Sequence, residues 1–495
     1  LIDSYRRLGR DLQAAKATER LIALYDPEDP TSLDLRLGLA HYLARDPEGL
    51  ARALKHAQMV HAARPEDLRT IDLMATLLER DNQAARAAEF IERLIARERD
   101  RNALHSLHLR RAQLLASLGG HASQALEAAA AALSLRPGHR DTVRVFATVA
   151  EQAGKTDAIG EHLPRIRAAL MRKVGRGAVS IRDLQGLAQI AAPVDAKLAA
   201  SADALVYAFE PTRPTPPPGH LRPISKGHIA SLLGDEKRRS LLIAPEEAAG
   251  IHQLLSIVEP ALSRLSAEFI SLDGEDIVPV PPQADAGAMS PTTQAWAESV
   301  GVDNPIPHGA AAHNACVFLA GNPPVLRIGN NLWMQGDHDA WRGLAALSFA
   351  RRAWGSPLAR SMTPIEMDLL IAGCFEAVGV FNAITADPDP RRLGPLTQSL
   401  SRHLARRARR QVEEVCNTLS GIDLVPSATA KATLSTDFRL AVVLTGDVGG
   451  CISAACLLDG VAGGSLKQRV NSSGTAQRLV NFVLSDAYAE LRDLS

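Results

Sequence analysis

The turns YDPEDP (25–30), ARPED (63–67) and LRPGH (135–139) decide how the first third of the chain is read, because Pro27, Pro65 and Pro137 each close a helix. Pro27 and Pro65 are 38 residues apart, and Pro65 and Pro137 are 72 apart, or two periods of 36. A proline expected between them, near Arg101, is missing. Between these turns apolar residues recur at helical spacing, and proline can end a helix but not continue one. The reading is about four to five helical hairpins over residues 1–170, with no strand.

A period near 34 to 36 with small residues at fixed offsets resembles the tetratricopeptide repeat (TPR). Leu8-Gly9 and Leu37-Gly38 fit the small or apolar positions of the first helix, and Ala57 and Ala132 fit the close-packed positions of the second. The large aromatic of the first helix is missing throughout. The resemblance implies a superhelix whose concave face binds a protein or peptide and which has no chemistry of its own. Because the chain starts inside what reads as a repeat, further repeats are expected upstream in a longer parent.

Bulk properties narrow the remaining possibilities. The 495 residues suggest two or three domains. With 46% apolar residues but only 4% aromatic, and with alanine and leucine dominant, the chain should be globular and mostly helical. Net charge is zero, so nucleic acid is not an expected partner. The run Arg402, Arg406, Arg407, Arg409 and Arg410, followed by Glu413 and Glu414, reads as a solvated helix face. Five cysteines without a C-x-x-C argue against a disulfide framework or zinc knuckle and for buried thiols. No apolar run of about 18 residues suggests a membrane span. A cytoplasmic protein is expected.

Residues 171–223 read as a helical extension and a linker. ALVYAF (204–209) has strand character, and the prolines from Pro211 to Pro223 favour extended backbone, read as a spacer in preference to an SH3-type ligand. From residue 224 to 495 the pattern mixes helices (241–266, 339–354, 364–384, 395–419, 475–492) with strand-like runs EFISL, ACVFLA and PVLRIG. The last two read as a hairpin around Gly-Asn-Pro-Pro, and 279–307 reads as a long surface loop. The expected fold class is therefore mainly α, with an N-terminal TPR-like α-α superhelix and a C-terminal α+β domain carrying a small sheet or hairpin.

Catalytic signatures are scarce. There is no G-x-S-x-G, H-E-x-x-H or H-x-x-E-H. Gly154-Lys155-Thr156 ends like a phosphate loop, but Val149 stands where its first glycine should be, so it reads as a repeat turn. The stretch PPVLRIGNNLWMQGDHDAWRGLAALSFARRAW (323–354), a strand followed by an amphipathic helix, resembles the gluzincin metallopeptidases of the CAAX-prenyl-protease class. The resemblance puts Ser348 and Arg352 where the family has zinc histidines and Phe349 where it has the general-base glutamate. In STDFRLAVVLTGDVGGCISAACLL (435–458) Asp437 keeps the family's aspartate, while Thr433 replaces its glutamate ligand. Zinc catalysis needs three N, O or S ligands and an open position for water, which serine, arginine and threonine do not supply. The resemblance thus implies a pseudopeptidase without zinc or other cofactor, in which Arg352 pairs with Asp437. A relocated metal site would use His308, His313 and His338. Asp337-His338-Asp339 reads more simply as an acidic helix cap. The expected function is a non-catalytic interaction scaffold with a second docking domain; the alternative is a hydrolase with an unrecognised or relocated metal site.

Overall fold

A computed structural model describes residues 11–492 apart from 212–215, 218, 249, 270–276, 280–290, 303–305, 311–315, 320–324, 330–337, 381–388 and 423–424. The chain divides into two compact units, residues 1–169 and 170–495.

The first unit is a TPR-like series of helix pairs. After α1 (Asp11–Ile22) come α2 (Pro30–Leu43) with α3 (Leu50–Ala63), α4 (Leu68–Arg80) with α5 (Ala84–Ile95), α6 (Arg101–Ala116) with α7 (Ala122–Leu135), and α8 (Arg140–Gln152) with α9 (Asp157–Val174). The leading helices start at residues 30, 68, 101 and 140, in steps of 38, 33 and 39. The missing proline is explained by this unevenness. Arg97-Glu98-Arg99-Asp100 occupies the turn taken by Arg64-Pro65-Glu66-Asp67 in the preceding pair, so Glu98 stands where proline was expected. Its carboxylate holds the turn, accepting from the amides of Arg99 (2.8 Å) and Asp100 (2.9 Å).

Three of the leading helices have an aspartate cap at the same place, and the fourth has a histidine there whose side chain caps no amide. Asp29 accepts from the amide of Thr31 (2.7 Å), Asp67 from that of Arg69 (3.2 Å) and Asp100 from those of Asn102 (3.0 Å) and Ala103 (2.8 Å), while His139 meets Thr142 Oγ1 at 3.1 Å. The aspartate caps satisfy amides that the first turn leaves open. An arginine at the end of each of the first three trailing helices reaches back to the start of its own pair. Arg64 reaches Asp34 (2.6 Å) and the Pro30 carbonyl (3.2 Å), Arg97 the Glu66 carbonyl (3.1 Å), and Arg136 the Asn102 side chain. Ala53, Ala57, Ala87, Ala125, Ala129 and Ala132 are fully buried, so the trailing helices are small where they meet their neighbours. Leu37 is buried, but a Cβ on Gly38 would meet nothing, so that glycine is not a packing requirement. Leu8-Gly9 lies outside the described residues. Gly154, at φ +64°, ends α8, and the Lys155 amide donates to the Ala150 carbonyl, so Gly154-Lys155-Thr156 is a helix-ending turn.

The second unit contains α10 (Ile181–Ala191), α11 (Ala196–Phe209), α12 (Lys226–Gly234), α13 (Glu236–Leu242), α14 (Ile251–Phe269), α15 (Pro291–Ser299), α16 (His338–Ala353) and α17 (Pro364–Val378). It continues through α18 (Pro390–His403), α19 (Arg406–Leu419), α20 (Pro426–Thr445), α21 (Val448–Leu458), α22 (Leu466–Ser472), α23 (Gly474–Val483) and α24 (Asp486–Arg492). The expected α+β domain is corrected to an all-helical body. Among the residues whose burial is described, the buried apolar side chains of this unit lie almost all on helices. Helices α17 and α21 are buried on nearly every side, as central helices must be. Short backbone pairing of three to five residues per segment links Ile277–Pro279, Ile306–Ala310, Val325–Gly329 and Cys316–Leu319, in that spatial order. It does not organise the unit, whose core is helix packed on helix.

Two local readings change with it. ALVYAF is the end of α11, not a strand: Leu198, Ala202, Leu205 and Val206 are buried at helical spacing, and Asp195 caps the start. The residues 279–307 are not simply loop, because Pro291 starts a helix that buries Trp296 and Ala297. Glu268 and Phe269 of EFISL belong to α14, and the rest of that run lies outside the described residues. Near the proline-rich stretch, Arg492 donates to the carbonyls of Gly219 (2.6 Å), Arg222 (2.6 Å) and Val443 (2.7 Å).

Candidate functional site

Helix α20 brings Asp437 to the end of α16, and the turn Ala359–Ser361 brings Arg360 to the same carboxylate. Arg351 Nε donates to Asp437 Oδ2 at 2.9 Å, and Arg360 Nη1 to Oδ1 at 2.6 Å. Asp437 is fully buried, and both guanidiniums are nearly so. Burial of a charge is costly unless it is paired and hydrogen-bonded, and here one carboxylate serves two cations. The remaining donors of Arg360 are taken up on its far side. Its Nη2 donates to Glu247 Oε1 (3.3 Å) and to His252 Nδ1 (2.6 Å), and its guanidinium lies 5.3 Å from the centre of the Trp354 ring. Thr436 donates its hydroxyl proton to Glu247 and accepts from the Ala244 amide at 2.9 Å.

This arrangement fixes protonation states. An imidazole that accepts at Nδ1 must be neutral, with its proton on Nε2. Burial first, and then the Arg360 and Arg239 cations, push the His252 pKa down to about 3. Burial pushes the Glu247 carboxyl up, against the attraction of Arg360. Glu259, on α14, is also raised by burial; it accepts from the amides of Leu358 and Ala359, each at 3.0 Å, and so holds the turn that presents Arg360.

A cavity of about 300 Å³ opens beside the pair. Arg351, Arg360 and Lys431 bring positive charge to its wall, and Asp459 is the carboxylate there. Asp459 is already engaged, accepting from the Ser473 hydroxyl (2.7 Å) and from the amide and hydroxyl of Thr475 (both 2.9 Å). Leu347, Met367, Leu434 and Leu458 form much of the apolar wall.

Of the sequence-derived positions, Ser348, Phe349, Thr433 and Asp437 are all buried, on the two helices α16 and α20. Ser348 donates to the Leu344 carbonyl at 3.0 Å, within its own helix. Thr433 has a buried hydroxyl with no hydrogen-bond partner among the described residues. Arg352 is exposed; the arginine that meets Asp437 is its neighbour Arg351. Sequence reasoning missed Arg360, Glu247, His252 and Glu259, which lie on other elements and carry no motif. His308 lies in a short extended segment, His338 begins α16, and His313 falls outside the described residues, as does Asp337. Asp339 pairs with Arg342 at 3.0 Å one turn on.

No family profile matches the chain, and no curated protein does. Among solved structures, it is similar to a mutant form of MamA (TM-score 0.26, 18% identity, 34% of this chain and 91% of that one). It is also similar to PilW, described as a widely conserved type IV pilus biogenesis factor (TM-score 0.26, 17% identity, 43% of this chain and 92% of that one). Both are TPR-containing proteins. None of these comparisons supports the gluzincin resemblance.

The rest of the surface fits the bulk reading. The five arginines from Arg402 to Arg410 are exposed. Cys374, Cys416, Cys451 and Cys456 are buried free thiols, and burial pushes Cys416 up to about 12. No helix among the described residues is long and apolar enough to cross a membrane.

Proposed function

We propose that this chain is a non-catalytic protein-interaction scaffold whose repeat array, residues 1–170, receives a protein or peptide partner. In this reading residues 171–223 are a helical extension and linker, and 224–495 form a domain that offers a second docking surface. The observation that carries it is the threefold recurrence of one arrangement in the first unit: an aspartate cap, a small-residue trailing helix and an arginine returning to the start of its pair. Similar units that cannot bury their faces alone make extended surfaces suited to extended partners.

The test is direct binding to the purified full chain. Peptides selected against it should bind saturably in calorimetry and should protect amides of the first unit from hydrogen exchange. Protection confined to the second unit would sink the assignment of the groove. The hydrolase alternative is decided separately, by elemental analysis of protein purified without chelator and by assay against a peptide library. Stoichiometric zinc, with cleavage lost on chelation, would replace the scaffold reading and make His308, His313 and His338 the first ligands to substitute.

A further inference from the structure

Two histidines of the repeat array meet over one hydroxyl. Thr142 Oγ1 lies 2.7 Å from Nε2 of His105, on α6, and 3.1 Å from Nδ1 of His139, which precedes α8. The two imidazole rings stand edge to face with their centres 4.8 Å apart. Thr142 is fully buried and His105 nearly so. The cluster joins the third helix pair to the fourth. Among the described residues no other side-chain hydrogen bond links α6 to α8.

A hydroxyl has one proton to give. It can donate to one imidazole nitrogen while accepting from the N–H of the other, so one of the two facing nitrogens must be bare. A first added proton is tolerated, because the ring that already donates to Oγ1 takes it at its other nitrogen. A second proton is not. It fills the bare nitrogen, leaves the Thr142 hydroxyl proton without its acceptor, and sets two cations side by side at a buried oxygen.

The surroundings do not compensate. Burial first, and then His139, Arg136 at the end of α7 and His108 one turn on in α6, lower the His105 pKa; none of these neighbours is a carboxylate. The carboxylates of the adjoining helices are engaged elsewhere or exposed. Glu92 of α5 pairs with Arg111 (3.2 Å), Glu79 and Asp72 of α4 with Arg110 (2.6 and 3.7 Å), and Asp141 of α8 with Arg144 (3.4 Å), while Glu127 of α7 is exposed. The unfolded chain takes up a proton near pH 6.5 that the folded His105 refuses, so this contact loses stability as pH falls below that value.

We propose that His105, Thr142 and His139 form an acid-sensitive latch between the third and fourth helix pairs, closed while one of the imidazoles is neutral and opened when both are charged. Opening frees α8 from α6, and a repeat array takes its curvature from the packing between adjacent units. The latch belongs to the array itself and holds whether or not the array receives a partner.

Hydrogen exchange of the full chain, followed by mass spectrometry from about pH 7.5 to about 5, tests it at two kinds of proton. Slow exchange at the imidazole C2 position reads the protonation of each histidine. Amide exchange, corrected for its intrinsic pH dependence, reads the opening of α8. His105 should titrate below 6.5, and His139→Asn, which removes the facing ring, should move that titration upward. Asparagine before α8 adds at most a helix cap, which does not titrate. Amide protection at the start of α8 should fall about tenfold over this range in the parent. In His105→Gln, which keeps an acceptor near the Nε2 position but cannot be charged, it should fall by less than about twofold. Circular dichroism at the neutral end confirms that each variant is folded; should His105→Gln fail to fold, the response of His105 to His139→Asn still decides. A His105 titration unmoved by His139→Asn, or protection at α8 that falls as far in His105→Gln as in the parent, overturns the latch.

Discussion

Asp437 holds two guanidiniums in a fully buried position, so its replacement leaves two cations without their shared partner. Asp437→Asn should destabilise the second unit by about 3–5 kcal/mol, read as a lower urea midpoint, because stranded buried charge cannot be rehydrated without unfolding. Arg352→Ala, one residue from Arg351 but exposed, should stay within about 0.5 kcal/mol of the parent. This contrast marks how far the sequence could be read at this scale. The acidic residue was legible from its helix, but adjacent positions on a helix point about 100° apart, and a pattern-level resemblance does not fix which of two neighbouring arginines turns inward. The pH dependence follows from His252, whose pKa is lowered to about 3 by burial and then by Arg360. The unfolded chain takes up a proton near pH 6.5 that the folded one refuses until about 3, so stability is lost as pH falls through that window. His252→Asn keeps an acceptor for Arg360 without titrating. The difference in melting temperature between the parent and this variant should change steadily from pH 6.5 to 4, against the parent at the acid end; a constant difference would show that burial and the neighbouring arginines do not hold the imidazole neutral. Glu247 and Glu259, raised by burial, work in the opposite sense, losing stability as pH rises above the ordinary carboxylate range, but they are common to both proteins.

A helix pair is specified by its turns more than by its faces in this chain. The proline spacing pointed to the repeat because Pro27, Pro65 and Pro137 sit in the turns between helices, and it faltered at Glu98 because a carboxylate accepting two amides does the same work with no fixed φ. The elements that recur in the first three pairs are the capping aspartates and the returning arginines, although the steps vary. Asp100→Ala should therefore cost about 1 kcal/mol, since two amides lose their acceptor. Urea unfolding followed at the first unit checks this, and an unchanged midpoint would mean that water replaces the cap. The strand readings of ALVYAF and of the start of EFISL misled for a different reason. Short apolar runs read alike as strand or buried helix, and the centre of the second unit is made of helices apolar on all sides. Close approach there is set by glycine. A Cβ on Gly343 of α16 would stand 1.9 Å from the Gly450 carbonyl oxygen of α21, so the helices touch backbone to backbone. Gly343→Ala must push them apart and should destabilise by about 1–3 kcal/mol or more. A variant as stable as the parent would place the crossing elsewhere.

Two compact units, each with its own core, imply that the molecule unfolds as two bodies. One core runs through the leading and trailing helices from Ala15 to Leu114, and another gathers α14, α17, α18 and α19 around Leu254, Phe375 and Leu400. The architecture of the second unit was not legible in the sequence, because its organising contacts, Asp437 to Arg351 and Arg360 or Glu259 to the 358–359 amides, join residues 77 to 100 positions apart with no shared motif. Sequence pattern reports local periodicity, and such contacts have none. Calorimetry of the full chain should then show two transitions, since a domain-sized core unfolds cooperatively on its own. Asp100→Ala should lower only the transition of the first unit, and Asp437→Asn only that of the second. For domains of these sizes each kcal/mol moves a midpoint by roughly 2–4 °C, so the two shifts should be about 3 °C and 10 °C. A single transition displaced by both substitutions would mean that the cores are thermodynamically one. With separate unfolding units, distortion of the repeats leaves the buried ion pairs of the second unit undisturbed.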